Sequence, residues 1–364
     1  MQEFNKKNLT KRVLVAPLDW GLGHATRCIP LINELILQGC TVLIAAEGNV
    51  KVLLQKEFPN CTFLPLDGYN IKYAPKKWLM PLYILGQVPS ILFSICKEHF
   101  WLKRIIKEHS IDLVISDNRF GLFTQKVTSV FITHQLLIKT GNRFIETVLK
   151  QINYFFINRF TICWIPDFSG KDNIAGELSH PTQLPANAKY IGSLSRFVYS
   201  NSVKKKYAIT FLLSGPEPQR TILENIILKE MEKNSDCTLL VRGLPNSNEQ
   251  INPNNPTSTV VNHLTAKELN EAILASDWIV ARSGYTTVMD LVQLKKNALL
   301  IPTPGQTEQE YLAKYLQDKQ LFLSIEQQHF SLEAIRRNDT TTKMNDLNFD
   351  TDLYKVAIKN VLSL

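Results

Sequence analysis

The feature that most constrains this chain is a recurring pair: a short uninterrupted apolar run, then a segment with apolar residues at helical spacing. In the first half the runs are RVLVAPL (12–18), TVLIAA (41–46), CTFLPL (61–66), DLVISD (112–117), SVFITH (129–134) and FTICWIP (160–166). Helical periods lie between several of them, at 25–38, 49–57, 90–109 and 142–158. The second half repeats the style with AITFLLSG (208–215), CTLLVRG (237–243), STVVNHL (258–264), DWIVARSG (277–284) and NALLIPTP (297–304), and with helices at 219–233, 266–275, 285–294 and 308–318. A strand apolar on both sides must be covered on both faces, and intervening helices supply the covers while making the strands parallel. The expected fold class is therefore α/β, with two doubly wound, Rossmann-like domains over 1–192 and 193–350 facing a cleft. The join falls near residues 192–207, where GSLSRFVYSNSVKKK is polar and lysine-rich. Residues 351–364 read as a helix that packs back on the first domain. A length of 364 residues suits two such units at ~150 residues each.

Charge separates the halves. Residues 1–200 carry 23 basic and 14 acidic side chains, and residues 201–364 carry 18 and 19, so the whole excess of the +8 chain sits in the first half. A basic half favours anionic partners: nucleic acid, anionic lipid or a phosphorylated substrate. No nucleic-acid motif accompanies it. The six cysteines form no CxxC pair and the seven histidines no HxxxH pair, which excludes a disulfide framework and a helical zinc site and fits a reducing, cytoplasmic setting. The N-terminus has no apolar signal core. Residues 78–96 contain no charge, but two prolines, a glycine, a glutamine and two serines argue against a span, and basic residues flank both ends. Residues 72–107 carry seven basic residues and one acid, Glu98, interleaved with Trp78, Tyr83, Phe93, Phe100 and Trp101. Two readings stand: a core helix with solvated lysines, or a helix resting on an anionic membrane surface.

Parallel α/β sheets bind ligands at the carboxyl ends of their strands, so the loops there carry the candidate chemistry. After the first strand comes Gly21-Leu22-Gly23-His24-Ala25-Thr26-Arg27; it is not GxGxxG, so a dinucleotide site is not supported. His24 at a loop–helix junction is placed either to move a proton near neutral pH or to make a structural hydrogen bond. Ser214-Gly215 precedes the first helix of the second half and can offer N–H groups to phosphate. In Arg282-Ser283-Gly284-Tyr285-Thr286-Thr287 a Ser-Gly turn opens a helix with two hydroxyls, and Asp290 follows within reach of sugar hydroxyls. In Pro302-Thr303-Pro304-Gly305-Gln306, a rigid loop leads to Gln309 and Glu310, side chains suited to reading sugar hydroxyls.

The order GLGH, RSGYTTVMD, PTPGQTEQE resembles the GT-B glycosyltransferases of family 28, most specifically over roughly residues 205–325. The resemblance implies an inverting, metal-independent transfer from a UDP-sugar, which is a substrate, with no cofactor. It implies an acceptor site in the first domain and donor contacts from Gly21, Gly23, Arg196, Ser214, Gly215, His263, Leu264, Arg282, Ser283, Gly284, Tyr285, Thr286, Thr287, Asp290, Gln306, Gln309 and Glu310. Asp290 stands where the family has a ribose-binding glutamate, and Gln309 and Glu310 where it has two glutamines, which leaves the sugar undefined. The candidate base is His24, with Asp117 in SDNRFG as second choice, and Asn118 and His134 are placed to meet the acceptor. Partners follow as a nucleotide-sugar and, through residues 72–107, an anionic membrane surface or lipid-linked acceptor. A nucleotide-sugar hydrolase or epimerase, or a non-catalytic nucleotide-sugar-binding subunit, are alternative readings.

Overall fold

The computed structural model describes residues 10–69, 80–337 and 349–364, the side chains of 80–85 excepted. The first sheet is built from β1 (Arg12–Pro17), β2 (Thr41–Ala45), β3 (Thr62–Leu64), β4 (Leu113–Asp117), β5 (Thr128–Ile132), β6 (Ile162–Ile165) and β7 (Ala188–Tyr190). Its helices are α1 (Leu22–Leu37), α2 (Gly48–Glu57), α3 (Met80–Glu108) and α4 (Arg143–Ile157). The strands lie in the order β3-β2-β1-β4-β5-β6-β7, every pair parallel. Continuous apolar strands explain this: the residues of β1 after Arg12 and all of β4 are buried, so both sheet faces are covered.

The second sheet repeats the winding. It holds β8 (Tyr207–Leu212), β9 (Thr238–Val241), β10 (Ser258–Val261), β11 (Ser276–Ala281), β12 (Asn297–Leu300) and β13 (Leu323–Ser324), in the order β10-β9-β8-β11-β12-β13 and again parallel. Its helices are α5 (Gln219–Glu232), α6 (Ala266–Leu274), α7 (Tyr285–Gln293), α8 (Thr307–Asp318) and α9 (Glu333–Arg337). The chain ends in α10 (Leu353–Leu362), which rests on α1 and buries Ile358 and Val361. The edge strands β7 and β13 have no counterpart among the apolar runs because three and two residues are too few to make one. Helix α3 begins ten residues before the expected start, running through Pro89. No helix among the described residues is long and apolar enough to cross a membrane.

This topology places the site. In each sheet the order reverses beside the first strand, opening a crevice at the strand ends. Pro17 pairs with Asp117, so the loop after β1 and the end of β4 are neighbours. One apolar cluster runs from the first sheet through Ala25 and Ile29 of α1 to Tyr285, Val288 and Met289 of α7 and into the second sheet. The two units therefore meet through a packed contact between the helices that follow the glycine loop and the Ser283-Gly284 turn.

Candidate active site

Gly21 caps α1 with φ +86°, a left-handed conformation that costs a side-chain-bearing residue energy. That turn starts α1 so that His24 and Arg27, three residues apart, share one face. Asp117, the last residue of β4, lies beneath both and is fully buried. Its Oδ2 is 3.1 Å from His24 Nδ1 and accepts from Arg27 Nε at 2.8 Å, while Oδ1 accepts from Arg27 Nη2. Arg27 Nη2 also lies 2.8 Å from His24 Nδ1. Burial pushes the Asp117 carboxyl up, but the Arg27 guanidinium and His24 overcome it and hold it well below the usual carboxylate range. Burial, and then the Arg27 charge, lower the pKa of His24 against the pull of Asp117. His24 is thus a neutral imidazole, its side chain 15% exposed, and its Nε2 has no hydrogen bond among the described residues.

The second unit reaches into this cluster. Glu308, in the first turn of α8, stands 2.8 Å from His134 Nε2, and its other oxygen accepts from Gln135. His134 Nδ1 is 3.3 Å from Arg27 Nη1. The His134 ring stacks on Tyr285 at 4.1 Å between centroids. Thr286 Oγ1 donates to the Gly23 carbonyl at 3.3 Å, and a Cβ on Gly23 would lie 3.0 Å from that hydroxyl. A side chain on Gly23 would press on that hydroxyl, so the bare Cα eases the approach of the Thr286 turn.

Residues 225–355 match the glycosyltransferase family 28 C-terminal domain. An uncharacterized glycosyltransferase of Methanosarcina acetivorans is 22% identical over 326 residues, covering 85% of this chain and 84% of the relative. The UDP-N-acetylglucosamine–N-acetylmuramyl-(pentapeptide) pyrophosphoryl-undecaprenol N-acetylglucosamine transferase of a Sulfurihydrogenibium species is 22% identical, covering 90% and 88%. The crystal structure of MurG from Acinetobacter baumannii superposes with a TM-score of 0.60 at 15% identity, covering 97% of this chain and all of that one. Residues 225–355 thus carry the family 28 C-terminal domain, and the chain as a whole is similar to MurG-like glycosyltransferases and shares their GT-B fold.

Within that GT-B frame the expected donor residues fall into two groups. Arg196, Ser214, Gly215, His263, Leu264, Thr286, Thr287, Asp290 and Gln306 are exposed or only partly buried. The Arg196 Nε and Thr303 Oγ1 atoms are buried without a hydrogen-bond partner among the described residues, an arrangement that a polar ligand would relieve. Asp290 is pushed up to about 7 by burial, with Ser195 and Arg196 pulling the other way; its Oδ1 accepts from Ser195 Oγ at 2.5 Å. Desolvation, then Arg196 and Lys56, lower His263.

The other group is built into the fold. Arg282, expected to line a diphosphate, is buried, and its guanidinium donates to the carbonyls of Ile301, Pro302 and Gln219 and to Gln327 Oε1. It ties together the segments that carry those groups. The Ser283 hydroxyl is fully buried and donates to the Gln309 carbonyl at 2.8 Å, so this turn has only backbone groups of residues 283 and 284 to offer. Tyr285 is likewise buried, with its hydroxyl donating to the Pro166 carbonyl at 2.5 Å. Gln309 Oε1 accepts from Thr303 N at 2.9 Å and Glu310 Oε1 from Gly305 N at 2.7 Å, so both shape the 303–306 loop. His134, expected to meet the acceptor, is an interface residue with both ring nitrogens engaged. Asn118 sits at φ +56°, its amide against Thr133 Oγ1 (2.9 Å) and Arg27 Nη2 (3.3 Å).

Arg27, Gln135, Ser195 and Glu308 carry no expectation from the sequence. The His24/Arg27 spacing is the one signal that could have found a member of this set. Gln135 and Glu308 meet only through the pairing of the two units. Residues 70–79 lie outside the described residues, and with them Lys72, Lys76, Lys77 and Trp78 of the basic stretch.

Proposed function

We propose that the enzyme transfers a sugar from a UDP-sugar to an acceptor hydroxyl with inversion at the anomeric carbon. One observation carries the reading: the glycine loop that bears His24, backed by buried Asp117, is hydrogen-bonded through the Gly23 carbonyl to Thr286 in the turn that opens α7 of the family 28 domain. Asp117 has no solvent exposure and both oxygens are committed, so it acts by orienting His24. The base requires the tautomer in which Nδ1–H donates to Asp117 instead of accepting from Arg27 Nη2, and in that tautomer Nε2 keeps its lone pair for the acceptor. The acceptor hydroxyl gives its proton to Nε2, its oxygen bonds to the anomeric carbon, and the bond to the nucleoside diphosphate breaks with its electron pair leaving on phosphate. Arg196 and the N–H groups that open α7 meet that charge without any metal in the proposed step.

The UDP assignment is supported by the Sulfurihydrogenibium relative, whose name specifies UDP-N-acetylglucosamine and an undecaprenol-linked acceptor. A lipid-linked acceptor is in keeping with the first unit's surface. Helices α3 and α4 share a small cluster through Ile91 and Phe156 and expose Leu92, Phe93, Phe100, Phe144, Val148, Ile152 and Phe155. Lys97, Lys103, Arg104, Lys107, Arg143, Lys150 and Arg159 lie on these helices or just past α4; Glu98 and Glu146 are buried, while the exposed Glu108 pairs with Arg104 and Asp67 with Lys97. Exposed apolar groups beside an excess of cationic ones suit peripheral contact with an anionic bilayer.

The test is UDP release from a panel of UDP-sugars with and without membrane lipid extract. Lipid-dependent release with a glycosylated lipid product is expected, falling about 10²–10⁴-fold in His24→Ala while UDP still binds. Acceptor-independent release of sugar and UDP would instead make the enzyme a hydrolase.

A further inference from the structure

Within the first unit the buried cluster pairs Arg27 with Asp117, and the second unit adds a further carboxylate, Glu308. His134 lies between the two units, with Nδ1 3.3 Å from Arg27 Nη1 and Nε2 2.8 Å from Glu308 Oε1. Cys28 and Tyr285, the other titratable groups against the cluster, are pushed far up by burial and stay protonated. Burial raises Glu308, but the hydrogen bond and charge of His134, then Arg27 and His24, bring it below its ordinary value, so it is ionised. Arg27 and Asp117 cancel one another's charge, and Glu308 adds a carboxylate from the other unit that favours the protonated form of His24.

Resting on the proposed role of His24 as base, we infer that Glu308 is a positioning residue that completes that base from the other unit, acting through His134 and Arg27. The first turn of α8 delivers its carboxylate to His134 only when the two units are packed as they are here. Arg27 then has a partner on each side, Asp117 below and His134 beside, which fixes its fork against His24. The base acquires its full electrostatic support in the state in which the donor-type turn of α7 is in contact with the glycine loop. The chain is thereby built to deprotonate an acceptor in the closed arrangement and to be a poorer base when open, which would limit loss of donor to water.

The experiment compares wild type with Glu308→Gln and Glu308→Asp, measuring UDP release from the UDP-sugar panel with lipid extract between pH 5 and 9 and UDP binding by calorimetry. Removing a negative charge disfavours the imidazolium, so the acidic limb of kcat moves to lower pH. The expected result for Glu308→Gln is a loss of about tenfold or more in kcat and a downward shift of that limb by about half a pH unit, with UDP affinity within about twofold. Glu308→Asp keeps the charge and is expected to hold the limb at its wild-type position. A kcat loss with an unmoved limb, or no change in either, overturns the inference. If His24→Ala is fully active the base assignment fails separately; the ring titration of His24, followed by NMR with UDP bound, then decides the coupling. A midpoint that falls in Glu308→Gln supports the relay and one that stays overturns it.

Discussion

Two residues show how burial is turned to chemical use. Asp117 is buried yet strongly acidic because Arg27 grips both its oxygens, and that fixed charge orients His24. Asp117→Asn keeps the shape but removes the charge, and an amide nitrogen facing Arg27 would leave buried donors in conflict. We expect kcat to fall about 10²-fold or more, with thermal unfolding at lower temperature; steady-state UDP release and calorimetry check both. Asp290 is the opposite case, raised to about 7 by burial. Because its folded pKa exceeds its unfolded one, the stability contributed by its protonated form is complete near pH 4 and lost as pH rises through about 7. On the expectation that Asp290 holds a ribose hydroxyl pair, which the ionised form does best, UDP affinity should rise with pH over that same range and flatten in Asp290→Asn, as read by calorimetry at pH 6 and 8. The motif residues were visible in the chain as residue types, but their partners were not. Arg282 and Ser283 belong to RSGYTT, and only the tertiary structure reveals that their side chains are spent on Ile301, Pro302, Gln219, Gln327 and Gln309.

At the scale of elements, the apolar runs located eleven of the strands because a parallel strand covered on both faces must be apolar throughout. β7 and β13 escaped because edges of two or three residues take their place from the neighbouring strand. Helix α4 carries the strongest prediction at this scale. Ile145, Val148, Ile152 and Phe155 follow helical spacing yet are all exposed, with Phe144 77% exposed beside them. A stripe of that kind is ordinarily a core face; here Glu146 and Asn153 lie on the buried side instead. Replacing Phe144 and Val148 by Asp should abolish flotation with vesicles containing anionic phosphatidylglycerol and leave UDP binding intact. Flotation equal to wild type would remove the membrane from the proposed function.

At the scale of the molecule, the chain passes between the two units twice: once after Gly192, and once between α9 and Phe349, which stacks on Phe168 of the first unit at 4.2 Å. Both passages meet at one spot. Gly192 has φ +72°, and a Cβ there would stand 2.9 Å from the Asp350 carbonyl and 3.3 Å from Leu353 Cβ. Gly192→Ala should therefore cost on the order of 1–3 kcal/mol, seen as a drop of a few degrees in thermal unfolding temperature. Two tethers that converge on a patch behave as a ball joint. Were the units to part, a single shared attachment near Gly192 would favour rotation about it over sliding. Groups beside such a joint keep their neighbours through the swing, while those farther out exchange theirs for water. On this geometry a nucleotide could remain tethered near Arg196 while the sugar end of the cleft alternately closes for transfer and opens for release.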